Sequence, residues 1–243
     1  MSLLIVSYGG GVNSTAMLFQ MAKLRMPIDL IMFADTGVEW PETYEHVRLA
    51  DHRFQTVLGT PPMTRVAYKE TIEDGCLRRA TLPSVAFGFG RHACGHKYKI
   101  YPQEKYAKAW GPYKQAIARG EEVRWAFGFD AKETKRKAKV PRGVTPIYPL
   151  REWNWDRAAC IDACREFGLM PRKSSCWCCP AMKKPDILEL AEKHPDLLER
   201  ALRIEDNALP SLKKIKGLGS RFNWREFIAG AEERAERRKV GAE

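Results

Sequence analysis

Hydrophobic and polar positions in the first half of the chain alternate between two patterns. Short runs rich in apolar and β-branched residues have the length of buried strands. Between them, apolar residues recur at the spacing of one helix face. In chain order, these segments are Leu3 to Tyr8, Ser14 to Arg25, Leu30 to Asp35 and Glu42 to Leu58. Strands that alternate with helices are typical of βαβ units, so the pattern predicts a parallel sheet covered by helices.

The pattern changes near Leu150. Two more strands are predicted at Val123 to Phe129 and at Val144 to Leu150, and beyond them the apolar spacing is helical. The fold class we predict is therefore α/β, an open parallel sheet flanked by helices. Residues 1–150 form the predicted α/β domain, and residues 151–243 form a helical extension that carries a Cys-x-x-Cys motif.

Composition narrows the class of protein. The chain has 243 residues, 44% apolar and 29% charged, which excludes the disordered and fibrous classes. No stretch approaches the roughly 20 apolar residues of a membrane-spanning helix, and the N-terminus lacks a basic leader, so we expect a cytoplasmic protein without membrane contact. Lys and Arg number 41 against 30 Asp and Glu. The net charge of +11 favours a polyanionic partner such as nucleic acid or a phosphorylated substrate.

A glycine-rich loop follows the first predicted strand and leads directly into the first helix. Glycines let the backbone approach phosphate closely, and the N–H groups at a helix start point at the anion. The loop has neither the lysine of a Walker motif nor the spacing of a dinucleotide fingerprint, and a plain glycine turn with a polar cap is the alternative interpretation. The candidate phosphate-binding residues are Ser7, Gly9, Gly10, Gly11, Asn13, Ser14 and Thr15.

This loop resembles the pyrophosphatase loop of the adenine nucleotide α-hydrolase superfamily, whose usual form is Ser-x-Ser-Gly-Gly-Lys-Asp-Ser. Gly10, Gly11 and Ser14 match it, whereas Val12 and Asn13 replace the lysine and the aspartate. Residues 33–43 resemble the Asp-Thr-Gly-x-Glu-x-Pro-Glu-Thr segment of the phosphoadenosine phosphosulfate reductase family. Two further segments of that family follow in the same order, Cys94 to Pro102 and Gly128 to Arg136. The resemblance thus spans nearly the whole chain.

The resemblance implies an adenine nucleotide site at the carboxyl ends of the strands. The expected ligands are ATP or an adenylyl sulfate, together with Mg²⁺. The resemblance also makes Lys132 a candidate for a cation that neutralises the charge developing on the phosphates. Since Val12 stands in place of the usual lysine, either a neighbouring Lys or Arg or Mg²⁺ supplies the missing charge, or cleavage at the α-phosphate is weak. The residues implied for the adenosine side are Asp35, Thr36, Gly37 and Gly128, and those implied for catalysis are Ser14, Lys99, Arg136 and Cys94.

Seven cysteines in a cytoplasmic chain are expected to be thiols, and clustered thiols suggest metal or redox chemistry. Cys176 and Cys179 form a Cys-x-x-Cys turn, a recurring half-site for zinc or an iron–sulphur cluster. The family-like segment suggests Cys94 as a third ligand. Cys160 and Cys164 share one helix face, with Cys164 the better ligand candidate and apolar packing the alternative for both. Three ligands would suit a [4Fe-4S] cluster with an open position, and four would suit structural Zn²⁺.

Three functions are consistent with these features. The first is an ATP-dependent enzyme of the phosphoadenosine phosphosulfate reductase-like family that splits ATP to AMP and pyrophosphate and activates an acceptor, such as tRNA or DNA, for sulphur transfer. The second is a sulfonucleotide reductase, although no cysteine follows Cys179 where such reductases carry a nucleophile. The third is a non-catalytic nucleotide- or nucleic-acid-binding protein with structural zinc. A homodimer is compatible with the sequence, which does not determine the oligomeric state.

Overall fold

The computed structural model describes residues 2–83, 93–219 and 221–240. By contacts between residues, the chain forms two compact units, each built from two segments. The first unit comprises Met1–Tyr68 and Lys97–Ser175, and the second comprises Lys69–His96 and Cys176–Glu243. The domain boundary predicted at residue 150 lies inside the first unit.

A five-stranded parallel sheet forms the centre of the first unit. Its strands lie in the order β3-β2-β1-β4-β5, and every neighbouring pair is parallel. This confirms the predicted fold class. The fifth strand is shorter than predicted because Pro149 begins a helix, where its missing N–H is tolerated. The strands are β1 Leu3–Tyr8, β2 Leu30–Asp35, β3 Met63–Ala67, β4 Val123–Phe127 and β5 Val144–Ile147.

Helices cover both faces of this sheet, as a parallel sheet requires. In the first unit they are α1 Val12–Lys23, α2 Pro41–Leu58, α5 Tyr101–Ala109, α6 Gly111–Ala118, α7 Pro149–Glu152 and α8 Arg157–Glu166. In the second unit they are α3 Ile72–Arg79, α4 Ala93–Gly95, α9 Lys184–Lys193, α10 Pro195–Ala208 and α11 Trp224–Val240, with a 3₁₀ turn at Leu209–Ser211. A π-helical turn at His96–Ile100 connects α4 to α5.

Helix α1, near the beginning of the first unit, packs against α8, near the end of that unit. One core cluster holds Met17 and Leu18 of α1 together with Cys160 and Cys164 of α8, all fully buried. Asp156 caps the start of α8, where its carboxylate accepts the N–H groups of Ala158 and Ala159. Because α1 and α8 share this core, the start of α8 has a fixed position relative to α1.

The second unit is helical, and buried carboxylates fix its loops. Glu205 on α10 is fully buried, and its carboxylate accepts hydrogen bonds from the backbone N–H groups of Leu218, Trp224 and Arg225. Charge-assisted bonds of this kind are among the stronger ones in proteins. They anchor the start of α11. No helix within the described ranges is long and apolar enough to cross a bilayer.

Candidate nucleotide site

The strand order of the sheet reverses between β1 and β4. In open parallel sheets, ligands bind in the crevice at such a reversal, beyond the carboxyl ends of the strands. Residues 9–11 follow β1 at this point, and Gly128 follows β4. The predicted phosphate loop therefore lies where the topology opens a crevice.

The hydroxyl of Ser14 holds the loop in shape. It accepts hydrogen bonds from the backbone N–H groups of Gly9 at 3.1 Å and of Gly11 at 3.3 Å, and it donates to the carbonyl of Gly11 at 3.0 Å. Gly10 has a φ of 68°, the left-handed region that favours glycine. Ser14 is thus placed as a brace of the loop, and its predicted catalytic role remains a prediction.

Gly128 touches the start of α1 through its backbone. A Cβ atom at this position would lie 3.0 Å from both the Cα and the N atoms of Ser14 and 3.2 Å from the carbonyl carbon of Asn13. Only a residue without a side chain fits this approach. Gly128 therefore brings β4 and the loop after it against the phosphate loop, at the position where the sequence predicts nucleotide contact.

A buried polar network lies beneath the loop. The hydroxyl of Tyr8 lies 2.9 Å from both Thr15 Oγ1 and His46 Nε2, and His46 Nε2 lies 3.2 Å from Thr15 Oγ1. Burial lowers the pKa of His46 to about 4, so its ring is neutral at pH 7, and burial raises the pKa of Tyr8. The network ties the end of β1, the first turn of α1 and α2 together. The sequence gives no signal for His46 beyond its place on α2.

Asn13 joins the loop to two acidic residues and one arginine. Its side-chain amide donates to Asp130 Oδ2 at 3.0 Å and to Glu133 Oε2 at 3.4 Å. Its amide oxygen accepts a hydrogen bond of 2.9 Å from Arg157 Nη1. Asp130 and Arg157 are functional candidates that the sequence did not single out. Asp130 lies within the family-like segment after β4, whereas Arg157 reaches the loop only because α8 packs on α1.

The two residues that depart from the usual loop thus have different environments. Val12 is buried, with 2% of its surface exposed, so its side chain packs into the core. Its carbonyl oxygen lies 3.5 Å from Cys164 Sγ. Burial raises the pKa of Cys164 to about 11 and that of Cys160 to about 12, which favours protonated thiols. These positions agree with apolar packing, and the metal-ligand role of Cys164 remains a prediction.

Asp35 lies at the end of β2 and is held from three directions. Its carboxylate accepts the N–H of Gly37 at 2.8 Å, the Tyr44 hydroxyl at 2.7 Å and the guanidinium of Arg65. Burial alone would raise the pKa of Asp35, but these hydrogen bonds and the charge of Arg65 lower it below its usual value. Asp35 is therefore an ionised acceptor at the sheet edge where the adenosine pocket is predicted, with Thr36 fully buried next to it.

Two further predicted site residues of the first unit, Lys99 and Ser7, make polar contacts with other side chains. The ammonium of Lys99 lies 2.8 Å from Glu39 Oε1, a carboxylate whose side chain is 1% exposed. Ser7 donates to Gln103 at 2.6 Å and accepts from the indole N–H of Trp125 at 2.8 Å. The glutamate in the family-like segment after β2 thus positions the predicted catalytic lysine.

Arg136 and Lys132 follow β4 and carry exposed cationic groups. Arg136 lies 2.8 Å from Glu133 Oε1, and its guanidinium stacks over Phe129, with 4.2 Å to the ring centroid. Lys132 lies 2.7 Å from the carboxylate of Asp156. Through Glu133, the position of Arg136 is linked to that of Asn13.

The second unit contains a separate group of cysteines. Cys178 is fully buried, and its pKa is raised by burial and then by the neighbouring thiols of Cys176, Cys76 and Cys179. The backbone N–H of Cys179 donates to the carbonyl of Cys176 at 3.2 Å, which forms the predicted turn. Cys94 is half-buried. Yet in the parts of the chain that the structure describes, no three His, Cys, Asp or Glu side chains are arranged to hold a metal ion. The described residues therefore do not form a complete metal site.

Comparison with known proteins gives the family. Residues 3–158 match the profile of the phosphoadenosine phosphosulfate reductase domain. The chain belongs to this family. This reductase-domain protein keeps the loop glycines and the Asp-Thr-Gly segment within the matched range, and the match ends before Cys164, Cys176 and Cys179. The matched range therefore includes the predicted nucleotide loop and leaves out the cysteine pair.

The chain was also compared with solved structures and with curated proteins. One solved structure to which the chain is similar is the U34-tRNA thiolase NcsA from Methanococcus maripaludis with its [4Fe-4S] cluster. The match has a TM-score of 0.46 and 14% sequence identity, and it covers 88% of this chain and 74% of that one. No curated protein matches the sequence.

Proposed function

We propose that the protein binds ATP at the loop of residues 9–15 and splits it between the α and β phosphates. The observation that carries this proposal is the position of the loop. It begins α1 at the point where the strand order of the sheet reverses, and Gly128 approaches it closely from β4. The positive end of α1 and the N–H groups of the loop favour an anion there.

Arg157 is our candidate for the cation that Val12 does not provide. It is exposed, its guanidinium reaches the loop through Asn13, and its remaining N–H donors face no other partner within the described chain. A guanidinium suits phosphate because it offers two parallel donors. Arg136, linked to the loop through Glu133 and Asn13, is the second candidate. Together they would neutralise the charge that develops on the leaving pyrophosphate.

The proposed reaction is adenylylation of an acceptor. An oxygen of the acceptor attacks the α-phosphorus, and the bond from that phosphorus to the oxygen bridging to the β-phosphate breaks. Pyrophosphate leaves with the bonding electron pair, and AMP stays on the acceptor. Sulfide, supplied from outside the protein, then attacks the acceptor carbon that carries this oxygen. A carbon–sulphur bond forms, the carbon–oxygen bond breaks, and AMP leaves with the bonding electron pair. The carboxylates of Asp130 and Glu133, which both contact Asn13, would be the groups that hold a Mg²⁺ ion brought with ATP, and the ion would neutralise phosphate charge there.

The cysteine-bound centre is a separate part of the proposal. The sequence predicts an iron–sulphur cluster or zinc on Cys176 and Cys179, with Cys94 and Cys164 as further ligands. The described residues hold no set of three ligands, so no step of the proposed reaction depends on such a centre. Tests of the nucleotide site and of the cysteines are therefore independent.

Two measurements test the nucleotide proposal. Nucleotide binding is measured with a non-hydrolysable ATP analogue, and release of pyrophosphate from ATP is measured with Mg²⁺ and candidate acceptors. Ser14→Ala removes the brace of the loop and should weaken both. Thr56→Ala, an exposed hydroxyl on α2, is the matched control and should change neither. If nucleotide binds but no tested condition releases pyrophosphate, the proposed enzymatic function is contradicted. The non-catalytic binding function would then remain.

A second candidate function follows from the family itself. A protein of the phosphoadenosine phosphosulfate reductase domain family could bind an adenylyl sulfate at this site and reduce it, with Cys94 as the nucleophile. The assay is sulfite release from an adenylyl sulfate in the presence of a thiol reductant. Sulfite release that is lost in Cys94→Ser would favour this function over ATP cleavage.

A further inference from the structure

The segment between β4 and β5 concentrates positive charge at the edge of the sheet that carries the nucleotide loop. Residues 128–143 contain six cationic and two acidic side chains. All six cations are exposed, whereas Asp130 is buried and Glu133 is half-buried. The acids are used internally, by Asn13 and Arg136. The solvent-facing side of the segment is therefore mainly cationic, although the side chain of Glu133 is 31% exposed beside Arg136. We call its cations the β4–β5 surface: Lys132, Lys135, Arg136, Lys137, Lys139 and Arg142.

Four of these cations have no local counter-charge. Lys132 and Arg136 pair with Asp156 and Glu133. By contrast, the other four take part in no ion pair within residues 2–83, 93–219 and 221–240: Lys135, Lys137, Lys139 and Arg142. A row of like charges destabilises itself unless it binds an anion. The absence of compensating carboxylates distinguishes this surface from helices such as α2, where Arg48 pairs with Glu45.

The surface also has shape and aromatic groups. Residues 132–136 line a shallow depression of about 310 Å³. Two lysines, an arginine and a threonine hydroxyl there can contact a phosphate group, and the fifth lining residue, Glu133, pairs with Arg136. Next to it, Phe129 and Tyr148 stack with ring centroids 5.7 Å apart. Arg136 covers Phe129, and Arg151 lies over Tyr148, with 4.4 Å to its centroid. Arginine planes and aromatic rings are platforms for unstacked bases.

We infer that the β4–β5 surface binds RNA at a single-stranded loop, with its lysines on the phosphates and a base on the Arg136 and Phe129 stack. The surface is contiguous with the nucleotide loop, because Asp130 and Glu133 contact Asn13. The inference rests on the proposed function in one respect: it identifies RNA as the acceptor. Lysine contacts to phosphate would supply the affinity, and stacking would favour unpaired bases over a duplex.

The test uses the full chain and a fluorescently labelled RNA hairpin with an unpaired loop, with fluorescence anisotropy as the readout. The triple variant Lys135→Gln, Lys137→Gln and Lys139→Gln is compared with Lys105→Gln, Lys108→Gln and Lys114→Gln, three exposed lysines on α5 and α6. The first variant should weaken binding by about tenfold or more. It should also reduce the slope of log affinity against log salt by about 2, since each phosphate contact contributes slightly less than one. The control should bind like the unchanged protein.

Several results would overturn the inference. The first is that the unchanged protein does not bind the RNA hairpin, and the second is that both variants lose affinity for it equally. The others are that the protein binds an RNA duplex, or a DNA hairpin of the same sequence, more tightly than the RNA hairpin. Capture of an acidic protein with no RNA binding would point to another class of partner and would also overturn it. Pyrophosphate release from ATP is measured in parallel, with the hairpin present. If the unchanged protein binds the hairpin but releases no pyrophosphate, the proposed reaction is contradicted and the RNA surface stands.

Discussion

Arg157 and Asn13, 144 positions apart in the chain, are joined by a hydrogen bond of 2.9 Å between Nη1 and Oδ1. Asn13 stands where the usual loop has aspartate, and its neighbour Val12 replaces lysine. The pair therefore places a cation from another helix at the start of α1. Asn13 suits this role because its amide donates to Asp130 and Glu133 while its oxygen accepts from Arg157.

Arg157→Ala should weaken ATP binding and pyrophosphate release. The loss of a cation aimed at phosphate is expected to lower the rate by about 10- to 100-fold. Arg157→Lys should recover only part of it, because an ammonium offers no fork of donors. The control is Arg165→Ala on the same helix, where the exposed arginine pairs with Asp162. Equal rates for Arg157→Ala and Arg165→Ala would exclude a role for Arg157 at the loop.

Asn13→Asp should impair the site even though it restores the residue of the usual loop. A carboxylate cannot donate to Asp130 and Glu133, and three carboxylates would then lie within hydrogen-bond distance. We expect at least tenfold weaker nucleotide binding at pH 7, with partial recovery at lower pH as one carboxyl takes up a proton. Isothermal titration with an ATP analogue across pH measures this. Unchanged or tighter binding would contradict the assigned role of the Asn13 amide.

Gly128→Ala should displace the start of α1. Its Cβ atom would meet the backbone of Ser14 at 3.0 Å, and backbone cannot move aside as a flexible side chain can. Overpacking of this kind costs about 1–3 kcal/mol of stability. Gly111→Ala is the control, because nothing lies within 4 Å of the added atom. Denaturant unfolding gives the stability, and nucleotide titration should show a loss for Gly128→Ala alone.

The stability of the protein should depend on pH through His46. Its pKa falls from 6.5 to about 4 on folding because of burial, so the unfolded chain binds more protons between those values. The free energy of unfolding should therefore rise with pH across that window, by at most about 1.4 kcal/mol per pH unit, and level off above it. His46→Gln should flatten this slope. His52→Gln, an exposed residue on the same helix, should keep it, and equal slopes in both variants would refute the assignment.

Metal analysis of anaerobically purified protein tests the cysteines. The sequence predicts either about four iron and four sulfide or one zinc per chain, lost in Cys176→Ala with Cys179→Ala and retained in Cys160→Ala. Iron with sulfide would support sulphur chemistry, and zinc would indicate a structural site. Neither metal would contradict the predicted centre on Cys176 and Cys179.

The sequence by itself determined the local features of this protein. The apolar pattern predicted the parallel sheet and the first two helices. Strands that are buried on both faces are continuous apolar runs, as in β2, and helices repeat apolar residues with the period of one face. The glycines after β1 predicted the loop, because backbone freedom at Gly10 is a property of the residue type. The segment after β2 resembled the family that the comparison then gave.

Only the tertiary structure decided which distant residues meet at the loop. Arg157 reaches Asn13 because α8 packs on α1, and Gly128 approaches Ser14 because β4 pairs with β1. The sequence allowed Cys164 to be either a metal ligand or a core residue. In the fold it is buried beside Val12. These contacts span more than a hundred residues, and they depend on the strand order and helix packing of the whole first unit rather than on any local pattern of side chains.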